Sequence, residues 1–433
     1  MLDLDRELGR LAERDLVDPL PVGVIKERAA RRRRGRRRAS AAAGSLILVL
    51  GIVCAAVLLR AHDSPEVTIT TSPRDALGAL PAGWHPLGTI PKGTIVPDNA
   101  AWTGTDLVLW DATTGIAYNP ITQQWRRLPR SPLSRRALVT MVWTGREVLV
   151  WGGTKGFTDT TGATPYTDGA AYNPMTNRWR RIPNAPIKPR LTQGIWTGHE
   201  LIVSGGPPNT IGRAQSIGQV LTDGAAYDPT ANTWRHIPPA PIPVTQGVVT
   251  WTGSQMLVFG SFRSDFLDTS GTISESRAAL FDPGTNHWRA LPNPGVTGVD
   301  PAATVAGHKI VAVGGYATTP RALDLTTATW KATTGFNATP QEACSPTLSG
   351  SPAVALLSSC GDFWTFNPAT DEWAHVASPS VPFDQQPWGQ PIWTGHAFLF
   401  WDTNPWTVGT VPTSNAAAKD LDVWAYVPPS VKH

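Results

Sequence analysis

Short apolar runs alternate with polar turns along most of this chain, and the alternation has a period. Seven runs recur: Leu107–Trp110, Val148–Trp151, Leu201–Val203, Met256–Phe259, Ile310–Val313, Ala353–Leu357 and Ala397–Trp401. Each is too short for a helix and is bounded by turn residues, so each predicts a buried strand. Ahead of five of them stands Trp-Thr-Gly, at Trp102, Trp143, Trp196, Trp251 and Trp393. Val305-Ala306-Gly307 and Leu348-Ser349-Gly350 are degenerate copies. A turn this short suits a hairpin, so every unit opens with two adjacent antiparallel strands.

A third strand ends in a bulky residue before a turn: Tyr118, Tyr172, Tyr227, Phe281, Leu323, Phe366 and Tyr426. In five units the turn is Asn-Pro or Asp-Pro, which suits the first two positions of a type I turn. A fourth strand opens with Trp125, Trp179, Trp234, Trp288, Trp330 or Trp373, spaced 54, 55, 54, 42 and 43 residues apart. Four strands in about 40–50 residues is the period of a propeller blade. Seven first strands but six such Trp strands leave the last unit incomplete. Trp84-His85-Pro86-Leu87, near the other end, resembles Trp179-Arg180-Arg181-Ile182 and predicts the missing outer strand, paired near Tyr426. Closure of this kind leaves only short edges.

The Gly pairs Gly152-Gly153, Gly205-Gly206 and Gly314-Gly315, the third-strand Tyr and the fourth-strand Trp carry a resemblance. The chain resembles the kelch-repeat β-propeller family, in the pattern of bacterial kelch domains grouped with the central domain of galactose oxidase. The resemblance covers roughly residues 84–428 and implies an all-β, seven-bladed kelch-type propeller, with domain bounds expected at 81–428.

The 19 Trp residues demand a periodic explanation. Those in phase predict packing between blades, because every blade needs the same wedge. Trp388 and Trp406 fall out of phase and are surface candidates, with the loop aromatics Phe157, Tyr166 and Phe266.

Charge changes the picture only at the start of the chain. Residues 1–38 hold 12 Lys/Arg against 7 Asp/Glu, while the remainder is close to neutral. That weakens any reading of the repeat region as a nucleic-acid-binding domain, and no nucleic-acid partner is expected. Residues 39–59 carry no charge and are long enough to cross a bilayer as one transmembrane helix. Arg31–Arg34 and Arg36–Arg38 precede them, which predicts a cytoplasmic N-terminus and an exported propeller. A cleaved signal peptide is the rival, but residues 1–38 are too long for its basic region. Residues 60–80 read as a linker and 429–433 as a tail. The basic stub resembles the short cytoplasmic segments of bacterial membrane proteins whose genes accompany sigma factors. That resemblance implies a sigma-factor-type partner for residues 1–38; a stub without a partner is the alternative.

Candidate chemistry is sparse. Metal-protease, P-loop and nucleophile-elbow motifs are absent, and no cofactor is implied. His199, His308 and His396 share one turn position, and Asp106, Glu147 and Glu200 another, so both sets read as polar turn residues. Cys344 and Cys360 lie in the exported part and predict a disulfide in blade six. Long insertions at 154–167, 207–222 and 261–276 share a face with the connections between blades. Arg135, Arg136, Arg190, Gln193 and Gln246 precede first strands on that face and, with Tyr166, are candidate ligand-binding residues. The alternative is that the arginines hold loops to neighbouring blades. The expected function is binding of a protein or glycan outside the membrane. A carbohydrate-active hydrolase, lyase or isomerase is the alternative, and carboxylates or histidines converging at the central mouth would mark it.

Overall fold

Each Trp-Thr-Gly turns the chain because its two small residues do different work. The glycines sit at positive φ, 90° at Gly104, 88° at Gly145, 96° at Gly198, 99° at Gly253 and 107° at Gly395, where a Cβ is strained. The threonine hydroxyl accepts the amide three residues on, at 2.9 Å from Glu147 to Thr144 and 3.0 Å from Glu200 to Thr197. A β-hairpin follows in every unit.

This computed structural model describes residues 77–91, 99–111, 114–155, 164–207, 220–243, 246–261, 276–297, 301–314, 319–337, 346–359, 361–379, 390–401 and 422–429. They belong to one unit, Pro73–His433. Among the described residues no helix is long and apolar enough to cross a membrane. The predicted stub, transmembrane span and most of the linker lie outside the described residues, as do Cys344 and Cys360.

Seven four-stranded antiparallel sheets form the blades. Blade one is Ala100–Trp102, Leu107–Asp111, Thr114–Asn119 and Gln124–Arg127. Blade two is Thr140–Trp143, Val148–Trp151, Gly169–Asn173 and Arg178–Ile182; blade three is Gly194–Trp196, Leu201–Ser204, Gly224–Asp228 and Thr233–Ile237. Blade four is Gln246–Trp251, Met256–Ser261, Ser276–Asp282 and His287–Ala290. Blade five is Ala302–Ala306, Lys309–Val313, Arg321–Asp324 and Thr329–Ala332; blade six is Thr347–Gly350, Ala355–Ser359, Asp362–Asn367 and Glu372–Val376. Blade seven joins Ile392–Trp393, Phe398–Trp401 and Asp422–Val427 to the outer strand Gly83–Thr89. Trp84 pairs with Tyr426, Gly83 with Val427 and Thr89 with Asp422, so the first strand of the propeller completes its last blade. The chain is a seven-bladed β-propeller.

The Asn-Pro and Asp-Pro turns are held by their first side chain. Asn173 Oδ1 accepts the amides of Met175 and Thr176 at 2.9 and 3.1 Å, and Asp228 Oδ1 those of Thr230 and Ala231 at 2.7 and 3.1 Å. The turn closes on a residue in the left-handed region, Asn177 at φ 54°, Asn232 at 56° and Asn286 at 57°, a conformation asparagine tolerates.

Among the described residues the buried apolar side chains form seven clusters, one at each seam between blades. The outer Trp lies over the third-strand aromatic, with centroids 5.2 Å apart at Tyr172–Trp179 and 4.9 Å at Tyr426–Trp84. Its indole N–H crosses to the preceding blade. Trp125 donates to Thr89 O, Trp179 to Pro129 O, Trp234 to Pro183 O, Trp288 to Pro238 O, Trp330 to Pro292 O, Trp373 to Thr333 Oγ1 and Trp84 to Ala377 O, all at 2.8–3.0 Å. Each such bond contributes about 1 kcal/mol net and fixes the blade angle. The in-phase Trp residues are therefore seam residues. Leu77, inside the stretch expected as linker, is buried in the seam between blades seven and one.

Strand order sorts the connections into two faces. The Thr-Gly hairpins and the Asx turns share one. The connections between blades and those between second and third strands share the other, called here the long-connection face.

Candidate functional site

The seven inner strands surround a cavity of about 810 Å³ on the propeller axis. Its polar lining is made of hydroxyls and amides, among them Asn99, Thr140, Thr192, Gln193, Ser349 and Gln390. Apolar side chains such as Val142, Val248 and Trp393 fill the rest. None of the described lining residues has an ionisable side chain. Neighbouring inner strands approach closely, and Gly350 shows why a side chain is excluded there, since a Cβ would lie 1.8 Å from Val305 O. Gln390 Nε2 donates to Leu348 O at 2.8 Å, bridging blades seven and six.

On the long-connection face, the connections into blades two and three lie against the bases of their insertions. Ala137 and Thr154 exchange backbone hydrogen bonds at 2.9 and 3.1 Å, and the Leu191 amide donates to Pro207 O at 2.9 Å. The Gly pairs make this approach possible. A Cβ at Gly153 would lie 2.6 Å from Ala137 O, and one at Gly206 2.1 Å from Leu191 O.

Two arginines lock the same junctions. The Arg136 side chain is 1% exposed and donates from Nη1 and Nη2 to Asp168 at 2.6 and 3.2 Å. Its other N–H groups go to Gly152 O at 3.1 Å, Ser134 O at 3.0 Å and Ser134 Oγ at 3.0 Å. The Tyr166 ring lies 4.0 Å from its guanidinium carbon, in cation–π contact. Arg190 repeats the device in blade three. It is fully buried and donates to Asp223 Oδ1, Asp223 O, Asp223 Oδ2 and Lys188 O at 2.8, 2.8, 3.1 and 2.9 Å. Burial pushes the Asp223 carboxyl up, but the hydrogen bonds and charge of Arg190 outweigh it and hold the pKa below the usual carboxylate value.

The candidate residues therefore divide. Arg136 and Tyr166 meet at the insertion base of blade two, and Arg190 meets Asp223 at that of blade three; each contact lies within the blade that the connection enters. Gln193 lines the cavity and is exposed. Arg135 is exposed on the connection between blades one and two. Gln246 opens the inner strand of blade four opposite Ser261, and its side chain lies outside the described residues.

Three further features escaped sequence reasoning. The acids of the hairpins are ion-paired: Arg126–Asp106 at 2.7 Å, Arg180–Glu147 at 2.7 Å and Arg235–Glu200 at 2.6 Å. The signal was the Arg after the outer Trp in those three blades. His396 contacts Leu80 O at 3.3 Å, so it helps to seat the chain's entry into the propeller. Blade seven also has a long connection, residues 402–421, between its second and third strands. Among the described residues no three of His, Cys, Asp and Glu come together as metal ligands would.

No protein-family model matches the chain. No curated protein matches it either. Among solved structures, that of YjhT is similar at 14% sequence identity, covering 72% of this chain and 91% of that one, with a TM-score of 0.44. The blade count rests on the strand pairing.

Proposed function

We propose that this chain is a membrane-anchored, extracytoplasmic binding protein whose kelch-type propeller takes a protein or glycan ligand on its long-connection face. The observation that carries the reading is the axial cavity, about 810 Å³, with a lining of hydroxyls, amides and apolar groups and no ionisable side chain among the described lining residues. Such a wall offers hydrogen bonds and apolar contact, which is what recognition uses. Among the described lining residues no side chain is poised to move a proton near neutral pH, as acid–base catalysis requires. A rigid ring with variable connections is also a scaffold on which binding residues concentrate.

The anchor rests on the uncharged residues 39–59 and the arginines before them. Residues 1–38 then lie in the cytoplasm, where a sigma-factor-type partner would bind them and pass the signal on.

Calorimetric titration of the full-length protein in neutral micelles with neutral oligosaccharides tests the cavity. Binding without turnover, weakened by Gln193→Ala, is the expected result. Turnover of a bound saccharide would transfer the chain to the carbohydrate-active alternative. A phosphatase reporter fused at residue 433 tests the anchor, and it must be active outside the cell. A pull-down with residues 1–38 tests the cytoplasmic partner, and recovery of no specific protein sinks that part.

A further inference from the structure

The near-neutral charge of the propeller conceals a division. Residues 114–190, in blades one and two, hold 12 Lys/Arg and 3 Asp/Glu, whereas residues 191–433 hold 10 and 17. Four of those cations are neutralised in place: Arg126 by Asp106, Arg136 by Asp168, Arg180 by Glu147 and Arg190 by Asp223. Others are exposed and gather around one connection, residues 128–139, between blades one and two.

Arg127 ends the outer strand that leads into this connection, and Arg130 and Arg135 lie on it; all three are exposed. Arg181 donates to Pro132 O at 2.5 Å, which places its half-exposed guanidinium over the same segment. Lys155, also exposed, follows Thr154, the residue bonded to Ala137. Asp168 is held by Arg136 at 2.6 Å and pairs more loosely with Arg181 at 3.7 Å, so Arg181 is the one member of the group with a carboxylate beside it among the described residues. The result is a crescent of five cations on the outer part of the long-connection face.

We propose that this crescent is a docking site for an acidic polysaccharide. The connection runs on to the axial cavity, which Leu138 and Val139 line, but none of the five cations lines it. Four of the five cations are arginines, whose planar forks take carboxylate or phosphate oxygens in pairs and shed water more readily than ammonium groups. The large apolar side chains exposed among the described residues are Ile121, Leu138 and Met175, of which only Leu138 lies on this connection. A protein partner would need an apolar or aromatic anchor at the centre of its footprint. A bilayer would need side chains that insert among headgroups. A hydrated polyanion needs only charge and hydrogen bonds, which is what the crescent supplies.

The test is titration of the full-length protein, in non-ionic micelles, with oligogalacturonate and with poly(glycerol phosphate). These arms separate carboxylate from phosphate. Neutral dextran and phosphatidylglycerol vesicles complete the set. Binding to at least one acidic polysaccharide is expected, weakening as salt rises. The triple variant Arg127→Gln, Arg130→Gln, Arg135→Gln should lose about tenfold in affinity. The matched variant Arg277→Gln, Arg289→Gln, Lys331→Gln removes as much charge from blades four and five and should stay within about twofold. The N-terminal arginines are common to both and cancel. If the triple variant does not fold, Arg135→Gln alone should lose about twofold to threefold. Equal losses in the two triple variants, no loss in the first, or binding to the vesicles and to neither polysaccharide would overturn the proposal.

Discussion

At the seam between blades two and three, Arg180 binds Glu147 through Nε and Nη2 at 3.0 and 2.7 Å and reaches Tyr227 and Asn232 of the next blade at 3.2 and 3.0 Å. At the seam between blades six and seven the Trp84 ring instead lies 4.8 Å from Phe363, 5.0 Å from Phe400 and 4.9 Å from Tyr426. Both seams keep the indole N–H bond to the preceding blade. The difference teaches that ring closure requires the outer Trp, while the rest of the rim can be charged or aromatic. The two solutions differ in strength. Arg180 is 35% exposed, so water screens its clamp and leaves it orientation more than energy. Burial of several rings contributes energy directly.

The largest expected effect breaks the aromatic side. Trp84→Ala should cost about 3–5 kcal/mol in denaturant unfolding, because it empties the seam that joins the chain's two ends. Trp234→Ala should cost less, since Arg180 still bridges blades two and three at that seam; equal costs would show that the clamp contributes nothing there. Next comes the buried clamp. Arg190→Met should cost about 1–2 kcal/mol, because it removes the buried donors that hold Asp223, whose side chain is 42% exposed and keeps its water. The rim clamp is smaller: Arg180→Met should cost at most about 1 kcal/mol and the difference should vanish at high salt. A larger, salt-insensitive loss would place the rim clamps with the buried ones.

The smallest effects come with pH, and the two ends of the scale probe different halves. Asp223 has a depressed pKa, so its contribution is present above the ordinary value of 3.8 and is lost as pH falls through the folded value. Arg190→Met should therefore flatten the acid limb of the stability curve. Burial pushes Tyr426 up to about 12, so stability is full below the ordinary value of 10 and declines as pH rises toward 12. Tyr426→Phe should remove that part of the alkaline decline. An acid limb unchanged by Arg190→Met would mean that other carboxylates carry it.

The ring was legible in the sequence because a propeller repeats its requirements. Each blade needs a glycine at positive φ, an Asx side chain and an outer Trp, so the same residue types return in phase. Even closure could be read, since Trp84 supplied the one missing member of the series. The candidate site was legible only by position. Arg136 and Arg190 stand on the expected face, but whether a guanidinium meets a ligand or a carboxylate depends on Asp168 and Asp223, 32 and 33 residues downstream. Likewise the hairpin acids looked like turn residues until Arg126, Arg180 and Arg235 came within bonding distance.

Arg135 and Arg136 condense the difference. Adjacent in sequence and identical in type, they are equivalent to any rule of composition or spacing. The connection turns between them, burying one against Asp168 and leaving the other in solvent. By itself the sequence determined the number of blades, their order and the closing strand, because those follow from local residue preferences repeated along the chain. Only the tertiary structure decided which charges cancel and which gather into a crescent, because electrostatic neighbours are set by distance in space.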